Sequence, residues 1–149
     1  MAETVTLSKI LHIRENEKQN AQQSYKTAVD VFETTATQLY HLLRTKEEAE
    51  HSYDSYMQET APIDRIREQA VYMERLNRQI MALQQELQTA RNEMEQKQQW
   101  LNDAYVEVKK FEKIIEHRDE QTKERMKKYE NTSMDEISIQ QYVNRKPGE

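Results

Sequence analysis

The chain has no cysteine, a single glycine (Gly148) and two prolines (Pro62 and Pro147). Without cysteine there is no disulfide and no cysteine zinc site. With one glycine there is no glycine-rich loop to cradle a phosphate. The scarcity of glycine and proline together argues against a globular fold, because compact folds turn often and tight turns draw on both residues. No apolar run approaches the ~18 residues of a membrane span, so no direct membrane insertion is expected. The opening residues Met1 to Leu7 lack a basic segment followed by an apolar run, so no secretion signal is expected.

The 149 residues suit one domain. They are rich in Glu, Gln, Lys, Arg and Ala, with 33% charged and 36% hydrophobic side chains, the composition of a long helix or coiled coil. A mean hydropathy of −1.11 would also suit a disordered chain, but disorder carries no periodicity. The net charge of −5, with both signs interspersed, is that of a solvated helical face and gives little basis for a nucleic-acid partner.

Periodicity is what the chain does have. From Met73 to Ile115, alternating steps of three and four select Met73, Leu76, Ile80, Leu83, Leu87, Ala90, Met94, Lys97, Leu101, Ala104, Val108, Phe111 and Ile115. Only Lys97 interrupts this apolar seam, and a repeat near 3.5 residues keeps such a stripe facing a partner helix. A softer seam precedes it: Leu7, Leu11, Arg14, Lys18, Ala21, Tyr25, Ala28, Phe32, Thr35, Leu39, Leu42, Lys46, Ala49, Tyr53 and Tyr56. Its basic members can lay their methylenes along the seam and keep their charge in water. Between the two seams stands Thr60-Ala61-Pro62, where proline disfavours helix before it and suits a helix's first turn, with Asp64 complementing the new helix dipole.

The expected fold is therefore all-α: a long two-helix antiparallel coiled-coil hairpin forming one domain over 1–149. Its parts are a helix over 7–59, a turn at 60–62, a longer helix over 63–130 and a flexible or docking tail over 131–149. Thr6 or Ser8 is the expected first cap. Facing residues in such a hairpin have a constant sum of sequence numbers, and a sum of 122 places the apex at Ala61. That register sets Phe32 against Ala90, Ala28 against Met94 and Ala21 against Leu101, large against small as dense packing requires. It also sets Tyr25 against Lys97, a cation–π geometry. Beyond Ile115 the seam positions turn polar at Arg118, Thr122 and Arg125, and the second helix overhangs the base as a charged single helix. Asn131-Thr132-Ser133 reads as a break, with Ser133 and Glu136 at capping-box spacing. Ile137, Ile139, Tyr142 and Val143 then form either a fold-back or a docking segment that orders on a partner.

The four histidines (His12, His41, His51 and His117) show no ligand spacing, so no metal, cofactor or catalytic residue is expected, and no enzyme. Off the seam, Tyr40 and Tyr72 with Leu43, Met57 and Met81 make a candidate binding surface. Since the hairpin buries its seam within one chain, a monomer is expected when the protein is free.

Three stretches carry a resemblance: Tyr72-Met73 with Leu76 and Ile80, Glu107 to Lys113, and Met134-Asp135-Glu136-Ile137 with Arg145-Lys146-Pro147. Together with the unequal helices they resemble the FliJ family of flagellar type III export proteins, related to the YscO-like stalk proteins of injectisomes. The resemblance implies a non-enzymatic stalk and adaptor similar to the central stalk of rotary ATP synthases. Its partners would be a hexameric flagellar export ATPase, the export-gate membrane protein and export chaperones. It would work in the cytoplasm at the inner-membrane base of the flagellum. The end holding both termini, with Arg14, Lys18, Arg118 and Arg125, would enter the ATPase ring. The family's gate-contact pattern maps onto Gln38, Leu42, Tyr72, Leu76 and Leu83. Thr45 and Ala49 stand where that pattern has aromatic residues. The alternative from another class is a generic coiled-coil scaffold or tether with no export role.

Overall fold

The computed structural model describes residues 2–59 and 61–144. Among them are two helices and no strand: α1, Ala2–Gln58, and α2, Ile63–Asn144. Thr60 of the expected turn and 145–149 of the expected tail, including Arg145-Lys146-Pro147, lie outside the described residues.

Neither helix contains glycine or proline, the residues that interrupt a helix most strongly. α1 ends where Glu59 N donates to Ser55 O at 3.0 Å. Pro62, which has no N–H to lose, stands just before α2 and gives its carbonyl to Arg65 N and Ile66 N at 3.1 and 3.3 Å. Asp64 in the first turn complements the helix dipole.

The chain forms two packing units: residues 18–103, and residues 1–17 together with 104–149. In the first, every seam residue from Lys18 to Tyr56 and from Met73 to Leu101 is buried or partly covered. Its core is Ala21, Ala28, Thr35 and Ala49 from α1 with Leu76, Ile80 and Ala90 from α2. The buried α1 residues are all small and recur at multiples of seven. The one buried polar group among them, Thr35, donates its hydroxyl to Val31 O at 2.9 Å, so nothing is left unpaired.

The antiparallel pairing is visible in two contacts of this unit. Gln69 Nε2 donates to Ala49 O at 3.1 Å, and the Arg91 guanidinium lies 5.7 Å from the Phe32 ring centre. Arg91 and Phe32 fall one residue from the constant sum expected from the seams, while Gln69, whose long amide side chain reaches along the helix, and Ala49 fall four away and show the antiparallel direction alone. In the other unit, Ala104 and Val108 are buried and Leu7, Leu11, Arg14, Phe111 and Ile115 are partly covered. Arg14 lies over Phe111 at 5.8 Å, and Arg118 is ion-paired with Glu3.

The structure departs from the sequence reading at both helix ends. α1 begins at Ala2, well before the expected start near Leu7, and Thr6 does not cap it. Its hydroxyl donates back to Ala2 O at 3.1 Å inside the helix. α2 does not break at Asn131-Thr132-Ser133 but runs on to Asn144. The physical reason is that Asn, Thr and Ser each lower helix propensity by only about 0.5–0.7 kcal/mol, and no glycine or proline accompanies them. Residues 131–144 are thus helical, and Ser133 is an interior residue rather than a cap. Lys97 also differs from expectation. It lies over Trp100, one turn along the same helix, at 5.5 Å, and pairs with Glu93 at 3.6 Å, leaving Tyr25 aside.

Candidate functional site

Surfaces that side chains leave open between and beside the helices are what this fold offers. In residues 18–103, a groove of about 560 Å³ is lined by Gln38, His41, Leu42 and Thr45 from α1 and Gln79, Ala82 and Leu83 from α2. Three of the five residues mapped to gate contact, Gln38, Leu42 and Leu83, therefore share one groove. Tyr72 lines a separate depression with Arg67, Glu68, Val71 and Arg75 and is 40% exposed. Leu76 is only 4% exposed and belongs to the core between them. Of the five, Tyr72 and Gln38 are exposed, Leu42 and Leu83 partly covered, and Leu76 buried.

Sequence reading missed His41, Gln79 and Ala82 as groove residues. The signal was present: 38 and 45, like 72 and 79, are seven apart and flank the seam, so they recur along one side of their helices. The expected off-seam surface is exposed at Tyr40, Leu43, Tyr72, Met57 and Met81. Tyr40 packs edge-on to His41 at 5.7 Å and lies under Arg44 at 5.9 Å. Further grooves were not foreseen. One is lined by Gln23, Ser24, Thr27, Ala28 and Val31 with Ala90, Glu93 and Lys97. Another lies on the first turns of α1, among Thr4, Val5, Ser8, Lys9, His12 and Ile13.

The basic set divides between the units. Lys18 belongs to residues 18–103, and Arg14, Arg118 and Arg125 to the other unit. Arg14 is engaged twice, over Phe111 and in an ion pair with Glu17 at 3.1 Å, and its Nε is buried without a hydrogen-bond partner. Arg118 is held by Glu3. Arg125 stands exposed on the part of α2 that runs past α1, where from Asp119 to Asn144 only Ser133 is even partly covered.

A buried, unpaired guanidinium nitrogen costs stability that an apolar side chain of similar length does not. Arg14→Met is accordingly expected to raise stability by about 1 kcal/mol, read as a higher denaturation midpoint at unchanged slope. An unchanged or lower midpoint would show that the Phe111 and Glu17 contacts outweigh the orphaned Nε.

Among the described residues no group of three or more His, Asp or Glu is placed to hold a metal ion, and no helix is long and apolar enough to cross a membrane. The fold and its surfaces define a two-helix coiled-coil protein that presents grooves and exposed helix faces. The family model described as "Flagellar FliJ protein" matches residues 3–147. A Flagellar FliJ protein of Bacillus subtilis (strain 168) is 32% identical over 143 residues, covering 96% of this chain and 97% of that protein. The chain belongs to the flagellar FliJ family, and membership supports a flagellar, export-related role. No solved structure gives a significant match.

Proposed function

We propose that the protein is a non-enzymatic stalk and adaptor of the flagellar type III export apparatus, with the hexameric export ATPase, the export gate and export chaperones as its partners. The observation that carries this reading is the inequality of the helices. α2 continues past the start of α1 as an exposed helix bearing Lys123, Arg125, Lys127 and Lys128. The basic block 123–128 of this helix fits the lumen of an acidic ring, where charges of opposite sign steer and hold it. The groove of Gln38, Leu42 and Leu83, with Tyr72 nearby in sequence on α2, supplies the gate-contacting surface. The protein then works in the cytoplasm, reaching the membrane through its partners.

The test is turnover. Substoichiometric amounts of this chain are expected to raise the hydrolysis rate of the flagellar export ATPase and to increase its assembly into rings. Turnover and oligomer distribution that stay the same across a titration would remove the stalk reading.

A further inference from the structure

The part of α2 beyond α1 is a helix without cover. Isolated helices depend on packing for most of their stability, and this one exposes Met126, Tyr129 and Ile137 on one face, spaced with Ser133 at steps of three and four residues. Its charges are sorted along the axis. Asp119 and Glu120 open the segment, and Lys123, Arg125, Lys127 and Lys128 then crowd residues 121–129, where Glu124 is the one acidic side chain. Glu130, Asp135 and Glu136 hold the far half, and no basic residue lies between Tyr129 and Asn144.

We propose that this overhang is a self-complementary docking surface whose partner is the same segment of a second copy of this chain, antiparallel about a two-fold axis at Tyr129. That arrangement places each copy's basic block against the other's acidic block, with Lys123 facing Asp135 and Lys128 facing Glu130. A parallel pair would stack each block on its like. The interface is isologous, so each favourable pair occurs twice. Continuing along the axis, the pairing brings Tyr142 and Val143, 81% and 71% exposed, level with Glu116 and Ile115 of the other copy. There a groove of about 430 Å³ is lined by Leu11 and Ile115 with the charged side chains of Glu112, Glu116, Asp119, Glu120 and Lys123. The segment from Ile137 to Asn144 has no acidic side chain to be repelled by its carboxylates. The pairing stands apart from the export reading, and it covers the same helix that reading assigns to the ATPase, so the two associations compete.

Sedimentation of the full chain from about 1 μM to about 1 mM tests it, over the range in which weak association becomes measurable. The mass is expected to climb from that of the 17.9 kDa chain toward twice that value, less readily at high salt. The triple variant Lys123→Glu, Lys127→Glu, Lys128→Glu sets like charges face to face and is expected to associate roughly a hundredfold more weakly. The reciprocal variant Glu130→Lys, Asp135→Lys, Glu136→Lys behaves the same way, and an equimolar mixture of the two recovers association. Because the chain has no cysteine, a mixture of Lys123→Cys and Asp135→Cys chains reads the direction, with disulfides forming between unlike chains. Monomer mass throughout, variants that associate like the parent, a mixture that stays apart, or disulfides only between like chains would each overturn the proposal.

Discussion

Leu76→Ala is expected to lower the melting temperature by about 10 °C, while Tyr72→Ala, one helical turn away, leaves it within about 2 °C. Leu76 is 4% exposed, and truncating a buried leucine removes its transfer energy and leaves a cavity, about 3 kcal/mol together. Tyr72 is 40% exposed on the rim of a shallow depression, so little packing goes with its ring. In a gate-binding assay the order reverses. Tyr72→Ala is expected to weaken binding roughly tenfold or more, as loss of an exposed aromatic anchor does. Any loss from Leu76→Ala should scale with the fraction unfolded and recover on cooling. Matching losses of melting temperature and of binding in Tyr72→Ala would assign Tyr72 to the fold instead.

Ala21→Phe should be nearly as damaging, at about 3 kcal/mol, through crowding instead of a void. Ala21 has no exposed surface, and the buried α1 residues that follow it, Ala28, Thr35 and Ala49, are small as well. This row sets how closely the helices of residues 18–103 approach, with Leu101 opposite Ala21 in the register expected from the seams. A phenyl ring there pushes against a filled site, and the helices must separate or the ring must take a strained rotamer. Thermal denaturation followed by circular dichroism measures it. A combined Ala21→Phe, Leu101→Ala variant is expected to recover part of the loss, since it restores volume across the seam. No recovery would mean that Leu101 is not the side chain being displaced.

Much of the fold was legible because a seam is a one-dimensional signal. Spacing alone selected the residues that become covered, and Pro62 with the two seams placed the reversal near Ala61. Helix ends were less legible because they depend on sums of small terms. Ser133 and Glu136 match a capping pattern, but a cap forms only where the preceding turn is already broken, and the turns before Asn131 are rich in Glu, Lys and Arg. Lys97 shows local geometry prevailing over long-range geometry, with Trp100 three residues away on the same helix.

The candidate surfaces divide along the same line. The exposure of Tyr40 and Tyr72 followed from their being off the seam. The engagement of Arg118 did not, since its partner Glu3 is 115 residues away and lies before the expected start of the first helix. The groove of Gln38, Leu42 and Leu83 depends on the volumes of small neighbours such as Thr45 and Ala82, which periodicity does not weigh.

The reversal beside Pro62 also dictates an order of assembly. Contacts near it join residues close in sequence, such as Ala49 and Gln69 at a separation of 20, whereas Glu3 and Arg118 are separated by 115. Closing the longer loop directly costs about 1.5 kcal/mol more in chain entropy than closing the shorter one. If pairing instead starts at the turn and zips outward, each step closes only a few residues, and a long chain folds with the kinetics of local contacts. The first helix must then wait on the ribosome until the turn and the start of the second have emerged, and its own first residues are the last to find their partners.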